Sequence, residues 1–104
     1  MSSELVLKEE YSADKAKVFI AGEVDIYTAQ QFKDKLYNIV DSSGKDLVID
    51  CSGLKYIDST GLGIFVGALK KTRLAGRSIQ LENIRDNIRK LFVITGLDKL
   101  FIIT

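Results

Sequence analysis

The stretch Asp58-Ser59-Thr60-Gly61-Leu62-Gly63 sets two hydroxyls beside a carboxylate, in a protein that contains no histidine. A serine becomes a nucleophile when a neighbouring base takes its proton, and histidine is the usual base. Without one, Ser59 reads as a residue acted upon. Phosphate is a group that suits the position. Asp, Ser and Thr are all good N-cap residues, so the stretch marks a helix entrance, where open N–H groups and the positive dipole end favour an anion by roughly 0.3–1 kcal/mol. A phosphoserine carries about −1.5 to −2 charges at neutral pH. Against a partner carboxylate about 6 Å away, repulsion would be roughly 3–5 kcal/mol at an effective dielectric of about 20–40. That is about two to four orders of magnitude in affinity. Such a residue would be a switch.

Three cap-type residues in a row exceed what one helix needs. Capping explains one of them and leaves two to the loop. Gly61, Gly63 and Gly67 add to the oddity, because each glycine inside a helix costs about 1 kcal/mol relative to alanine. On a helical wheel Leu62, Phe65, Val66 and Leu69 face the core. Thr60, Gly63, Gly67 and Lys71 fall opposite, with Ile64 beside them as an exposed isoleucine. Spacing leaves two readings open: backbone bared for a partner's approach, or close packing against a neighbouring element of the same domain.

Other candidate chemistry is weaker. Cys51, the one cysteine, offers no disulfide and no metal-ligand set, and reads as a small buried residue. Asp50, at a strand end, is placed like a phosphoacceptor aspartate but lacks an acidic pair after the first strand. Asp25 could be only a turn residue. Asp-Ser-Thr-Gly is similar to the aspartic-protease Asp-Ser/Thr-Gly loop with a residue inserted, and the helix-rich pattern argues against an all-β protease. A Ser–Lys dyad has no second motif to place a lysine. Gly61-x-Gly63-x-x-x-Gly67 departs from the dinucleotide pattern, and no P-loop is present. No catalytic residue, metal or cofactor is expected.

The elements that would position Ser59 can be read in order. Leu5–Leu7 and Lys17–Ala21 read as a strand pair around the turn Ser12–Lys15. Thr28 and Gln31 form a capping-box signature, and Ala29, Phe32, Leu36, Ile39 and Val40 continue as a helix until Ser42-Ser43-Gly44. Leu47-Val48-Ile49 is an apolar run expected of a central strand buried on both faces. The Ser59 helix ends near Gly76. Ile79 and Leu81 mark a short strand. Ile84, Ile88, Leu91, Phe92 and Thr95 mark a third helix, and Leu100–Ile103 a last strand or terminal segment. Strands alternating with helices predict an α/β domain, a mostly parallel sheet of about four to five strands with helices packed on it.

The 104 residues suit one domain, residues 1–104, and the net charge of +1 gives no overall pull toward nucleic acid or membrane. Lys70, Lys71, Arg73 and Arg77 alternate with apolar residues as a solvated helix face does. Residues 1–8 lack the pattern of a signal peptide, and no apolar run approaches membrane-spanning length. A cytoplasmic protein with no direct nucleic-acid or membrane partner is expected.

Residues 21–29 (Ala-Gly-Glu-Val-Asp-Ile-Tyr-Thr-Ala), 56–63 (Tyr-Ile-Asp-Ser-Thr-Gly-Leu-Gly), 81–84 (Leu-Glu-Asn-Ile) and 91–97 (Leu-Phe-Val-Ile-Thr-Gly-Leu) together carry a family resemblance. In that order, the chain closely resembles the STAS-domain anti-sigma factor antagonists of bacteria, most nearly the RsbV-type members that govern general stress sigma factors. The resemblance implies that Ser59 is phosphorylated by an anti-sigma factor that is itself an ATP-using serine kinase. It implies that the unphosphorylated form binds this kinase and frees the sigma factor, and that a PP2C-type phosphatase resets the switch. Asp25 matches the family's acidic residue near the serine. The chain stops at Thr104, short of the tail of some members, which bears on contacts made by a final helix. Asp25, Asp58, Thr60, Gly61, Gly63, Ile64 and Gly67 are the expected partner surface. The competing expectation is a STAS scaffold or a ligand- or nucleotide-sensing module of a larger signalling assembly.

Overall fold

A computed structural model describes residues 4–104, so the expected domain start at Met1 lies outside the described residues. The chain opens with a hairpin. β1 (Leu5–Tyr11) and β2 (Lys15–Val24) pair antiparallel around a turn in which the Ser12 N–H donates to the Lys15 carbonyl at 2.9 Å. Then helices and strands alternate: α1 (Ala29–Ser43), β3 (Asp46–Ile57), α2 (Ser59–Leu74), β4 (Ile79–Glu82), α3 (Asp86–Ile94), one 3-10 turn over Leu97–Lys99 and β5 (Ile102–Ile103). The sheet order is β1-β2-β3-β4-β5, and every pairing after the first is parallel. Parallel crossovers are right-handed. Three successive ones stepping in a single direction leave α1, α2 and α3 on one face of the sheet.

Between sheet and helices lies the core. Val18, Ile20, Leu47, Ile49, Ile79 and Leu81 meet Phe32 and Leu36 of α1, Phe65 and Leu69 of α2, and Ile88 and Phe92 of α3. Phe65 is the hub of an aromatic cluster. Its ring centroid lies 5.3 Å from Phe32, 5.8 Å from Phe92 and 6.2 Å from Phe101, the last two edge-to-face, the arrangement that the ring quadrupole favours.

β3 is buried along both of its faces as expected, but different neighbours cover them. Leu47, Ile49 and Cys51 enter the helical core, whereas Val48 and Asp50 are buried on the side without helices. There Lys17 bridges to Glu82 at 3.3 Å and lies over the Phe19 ring. The Asp50 carboxylate accepts from the Ser52 N–H at 2.9 Å and from the Asn83 amide at 3.2 Å. Burial pushes this carboxyl's pKa up, but those hydrogen bonds and the nearby Lys17 charge outweigh it and hold it below the ordinary value. Asn83 bends the chain with a φ of 55°. As a result α3 begins at Asp86, and Ile84 plugs the core from the loop before it.

The pairing of β2 with β3 fixes which residues meet where the two strands end. From Lys15–Asp46 to Phe19–Asp50 the register is constant, then it slips twice, between Phe19 and Ala21 and between Gly22 and Glu23. Each slip gives β3 an extra residue, as a β-bulge does. A glycine stands at each slip. A side chain at Gly53 would press within 2.8 Å of the Ile20 carbonyl, and Gly22, at φ 115°, has the Glu4 carbonyl where a side chain would stand. The slips make Val24 face Ile57, where an unbroken register would have brought it to Lys55.

Candidate functional site

Because Val24 and Ile57 are partners, the next residues, Asp25 and Asp58, leave adjacent parallel strands side by side, on backbones about 5 Å apart. The Asp58 N–H donates to the Val24 carbonyl at 3.2 Å, tying the two loops together. This is the carboxyl end of the sheet, where open α/β folds gather their working loops.

Asp58 is the N-cap of α2. Its backbone is extended, its carboxylate accepts from the Gly61 N–H at 3.1 Å, and its carbonyl accepts the Leu62 N–H at 3.0 Å. Of the three cap-type residues, Asp58 does the capping, so Ser59 and Thr60 are released as the exposed first two residues of the helix. Their N–H groups are left as open donors of the helix end.

Asp25 organises the neighbouring loop. Its carboxylate accepts from the N–H groups of Tyr27 (2.9 Å) and Thr28 (3.1 Å), and its carbonyl accepts from Ala29 at 2.8 Å. The expected capping box of Thr28 and Gln31 does not form. Thr28 lies at the helix N-cap without a side-chain bond to the helix. Its hydroxyl donates to the Glu23 carbonyl at 2.8 Å and accepts from the Asp25 N–H, while Gln31 reaches across to the Leu5 carbonyl. Asp25 has taken the Thr28 N–H that the Gln31 side chain would have received, and the Thr28 hydroxyl is turned to Glu23.

The structure thus brings Asp25, Asp58, Ser59 and Thr60 to one surface, with Gly63 exposed one turn along α2 and open space around its backbone. The other three expected residues sit differently. Ile64 is 7% exposed and belongs to the core, so the expectation of an exposed isoleucine is corrected. Gly61 is buried, and a Cβ there would lie 2.5 Å from Ile57 and 2.7 Å from Val24. Gly67 lies under the Tyr37 hydroxyl of α1, which fills the space of a side chain. At Gly61 and Gly67 the missing side chain therefore serves packing within the domain. The wheel erred because α2 is wedged between sheet and α1, burying a wider arc than one stripe.

Among the described residues, none at this surface makes a complete nucleophile-and-base pair. Asp25 and Asp58 are engaged with backbone amides. Cys51 is buried, and burial, helped by the neighbouring Asp50 charge, pushes its thiol up to about 12, too high to supply thiolate at neutral pH. On the neighbouring loop stand two apolar side chains, Ile26 at 70% and Tyr27 at 80% exposure, which lie within the 21–29 segment but outside the expected partner surface. The signal for them is two large apolar residues between a strand end and a helix start, outside either periodicity.

A five-stranded, largely parallel sheet with its helices on one face and a serine at a helix entrance defines the class. The chain belongs to the STAS domain family, whose match runs over residues 7–104. It is 44% identical over 81 residues to the anti-sigma-B factor antagonist of Bacillus subtilis (strain 168), spanning 78% of this chain and 73% of that one. The anti-sigma-B factor antagonist of Listeria monocytogenes is 42% identical over 89 residues, spanning 86% and 78%. Among solved structures, an anti-sigma factor antagonist from Mycobacterium paratuberculosis superposes with a TM-score of 0.82 at 25% identity, over 96% of this chain and 85% of that one. The unphosphorylated form of the anti-sigma factor antagonist SpoIIAA superposes with a TM-score of 0.80 at 19% identity, over 95% and 88%. At that identity the second likeness speaks for the fold. No helix among the described residues is long and apolar enough to cross a membrane.

Proposed function

We propose that this protein is an anti-sigma factor antagonist that works as a phosphorylation-controlled partner switch in the cytoplasm and catalyses no reaction itself. Unphosphorylated, it binds an anti-sigma factor and so frees a sigma factor for transcription. The anti-sigma factor is an ATP-using kinase that transfers the γ-phosphoryl group to the Ser59 hydroxyl, with release of ADP and the serine proton. A PP2C-type phosphatase hydrolyses the ester and restores the binding form. The naming of relatives above 40% identity supports the antagonist role.

The observation that carries Ser59 is its setting. It is exposed at the start of α2 while Asp58 performs the capping, so the hydroxyl can be modified without loss of a structural bond. A dianion placed there gains from the helix end within the molecule and repels any partner carboxylate packed against it. Fold and affinity are in this way uncoupled.

The test is incubation of the protein with ATP and the anti-sigma kinase, followed by mass spectrometry. Wild type is expected to take up one phosphate and Ser59→Ala none. Equal uptake by both proteins would refute the assignment to Ser59.

A further inference from the structure

We propose that Ile26 and Tyr27 form the apolar anchor by which the Ser59 kinase grips this chain. The inference deepens the partner-switch reading and rests on it. Both side chains stand in solvent on the loop between β2 and α1, at 70% and 80% exposure. Single exposed apolar residues are ordinary on a protein surface. These two are adjacent, and they are held out by a tied turn. The Asp25 carboxylate holds the Tyr27 and Thr28 N–H groups, the buried Thr28 hydroxyl locks onto Glu23, and the Asp25 carbonyl receives Ala29. Presentation is therefore set before binding, which lowers the ordering cost of docking.

Position selects the occupant. The loop leaves β2 where Asp58 leaves β3, and the Asp58–Val24 bond couples them. A standard interface covers about 800 Å² of each partner, a disc of roughly 16 Å radius. Ile26 and Tyr27 follow Val24 by two and three residues and Ser59 follows Val24's partner Ile57 by two, so a disc of that size centred on the Ser59 hydroxyl reaches the loop that carries them. Leu74, 90% exposed at the far end of α2, lies about 22 Å from Ser59 along the helix and falls outside that disc. Tyrosine is enriched among the few residues that carry interface energy, at positions where surrounding contacts exclude water. The chemistry implied on the kinase is an apolar pocket with a polar group at its mouth for the Tyr27 hydroxyl.

Under this assignment Asp25 acts as a positioning residue for the anchor, through its hold on the Tyr27 N–H. Asp25 and Tyr27 thus contribute to a single recognition element, with Ser59 as the reacting group beside it.

The experiment uses the full chain and the kinase that binds it and phosphorylates Ser59. Ile26→Ser, Tyr27→Ser, Tyr27→Phe and Leu74→Ser are compared by calorimetric binding and by phosphorylation kinetics, with circular dichroism as the check on folding. Ile26→Ser and Tyr27→Ser are expected to weaken binding by roughly 10- to 100-fold and to raise KM for phosphorylation with kcat held. Tyr27→Phe should retain most of the affinity, and Leu74→Ser should stay within twofold of wild type. Folded Ile26→Ser and Tyr27→Ser variants that both bind within twofold of wild type overturn the anchor and leave the switch standing. A wild-type chain that neither binds the kinase nor takes phosphate at Ser59 overturns the switch and the anchor with it.

Discussion

The backbone N–H of Asp58 donates to the carbonyl of Val24 at 3.2 Å, and this bond welds together the two loops that carry Asp25 and Ser59. Each loop is also closed on itself, one by the Asp25 carboxylate and the other by the Asp58 carboxylate. The carboxylates that looked like candidate chemistry are spent on geometry. They free a serine hydroxyl and two apolar side chains to face outward.

Ser59→Asp should fold as wild type does, because the residue is exposed and an acidic side chain is favourable in the first turn of a helix. One added charge facing a partner carboxylate about 6 Å away costs close to 3 kcal/mol at an effective dielectric of about 20, about a hundredfold in affinity. Unchanged circular dichroism together with undiminished binding to the anti-sigma factor would refute the charge mechanism.

The glycines of α2 should separate by environment. Gly61→Ala forces a Cβ against Ile57 and Val24, and such overpacking costs about 1–3 kcal/mol. Gly63 has open space around it, so Gly63→Ala should stabilise the helix by up to about 1 kcal/mol. Urea denaturation measures both. A Gly61→Ala chain as stable as wild type would contradict the packing described for Gly61, and a destabilised Gly63→Ala chain the open space around Gly63.

Asp50 gives a pH dependence. Its folded pKa lies below the ordinary 3.8, so its contribution is fully present above pH 3.8 and is lost as the pH falls through the folded value. Asp50→Asn should therefore be less stable than wild type near neutrality, and the gap should close as the pH drops below 3.8. A gap independent of pH in urea titrations would show that the carboxylate's charge plays no part.

The helices and strands were legible in the residues because their patterns are local. Phe32, Leu36, Ile39 and Val40 recur at helical spacing, and all four are buried along α1. Gly44 stops that helix in the left-handed conformation, at φ 63°. Asp58, Ser59 and Thr60 marked a helix entrance, and α2 begins there. Less legible were features that depend on a partner from elsewhere in the chain. Thr28 and Gln31 have the letters of a capping box, but the Asp25 carboxylate takes the Thr28 N–H and the Glu23 carbonyl takes the Thr28 hydroxyl. Gly67 has the look of bare backbone until Tyr37 of α1 is laid over it. Ile64 sits on the outer arc of a wheel, yet the assembled domain buries it within the core.

The sequence by itself determined that a serine without a histidine would stand at a helix entrance, since cap residues and apolar periodicity act within a few residues of one another. Only the tertiary structure decided what stands beside that serine. Had β2 and β3 kept their starting register, Asp25 would have emerged next to Tyr56; the two slips at Gly53 and Gly22 bring it to Asp58. Register is a relation between strands whose paired residues lie far apart in the chain, so no local pattern sets it. That relation makes Asp25, Ser59 and the Ile26–Tyr27 loop a single surface.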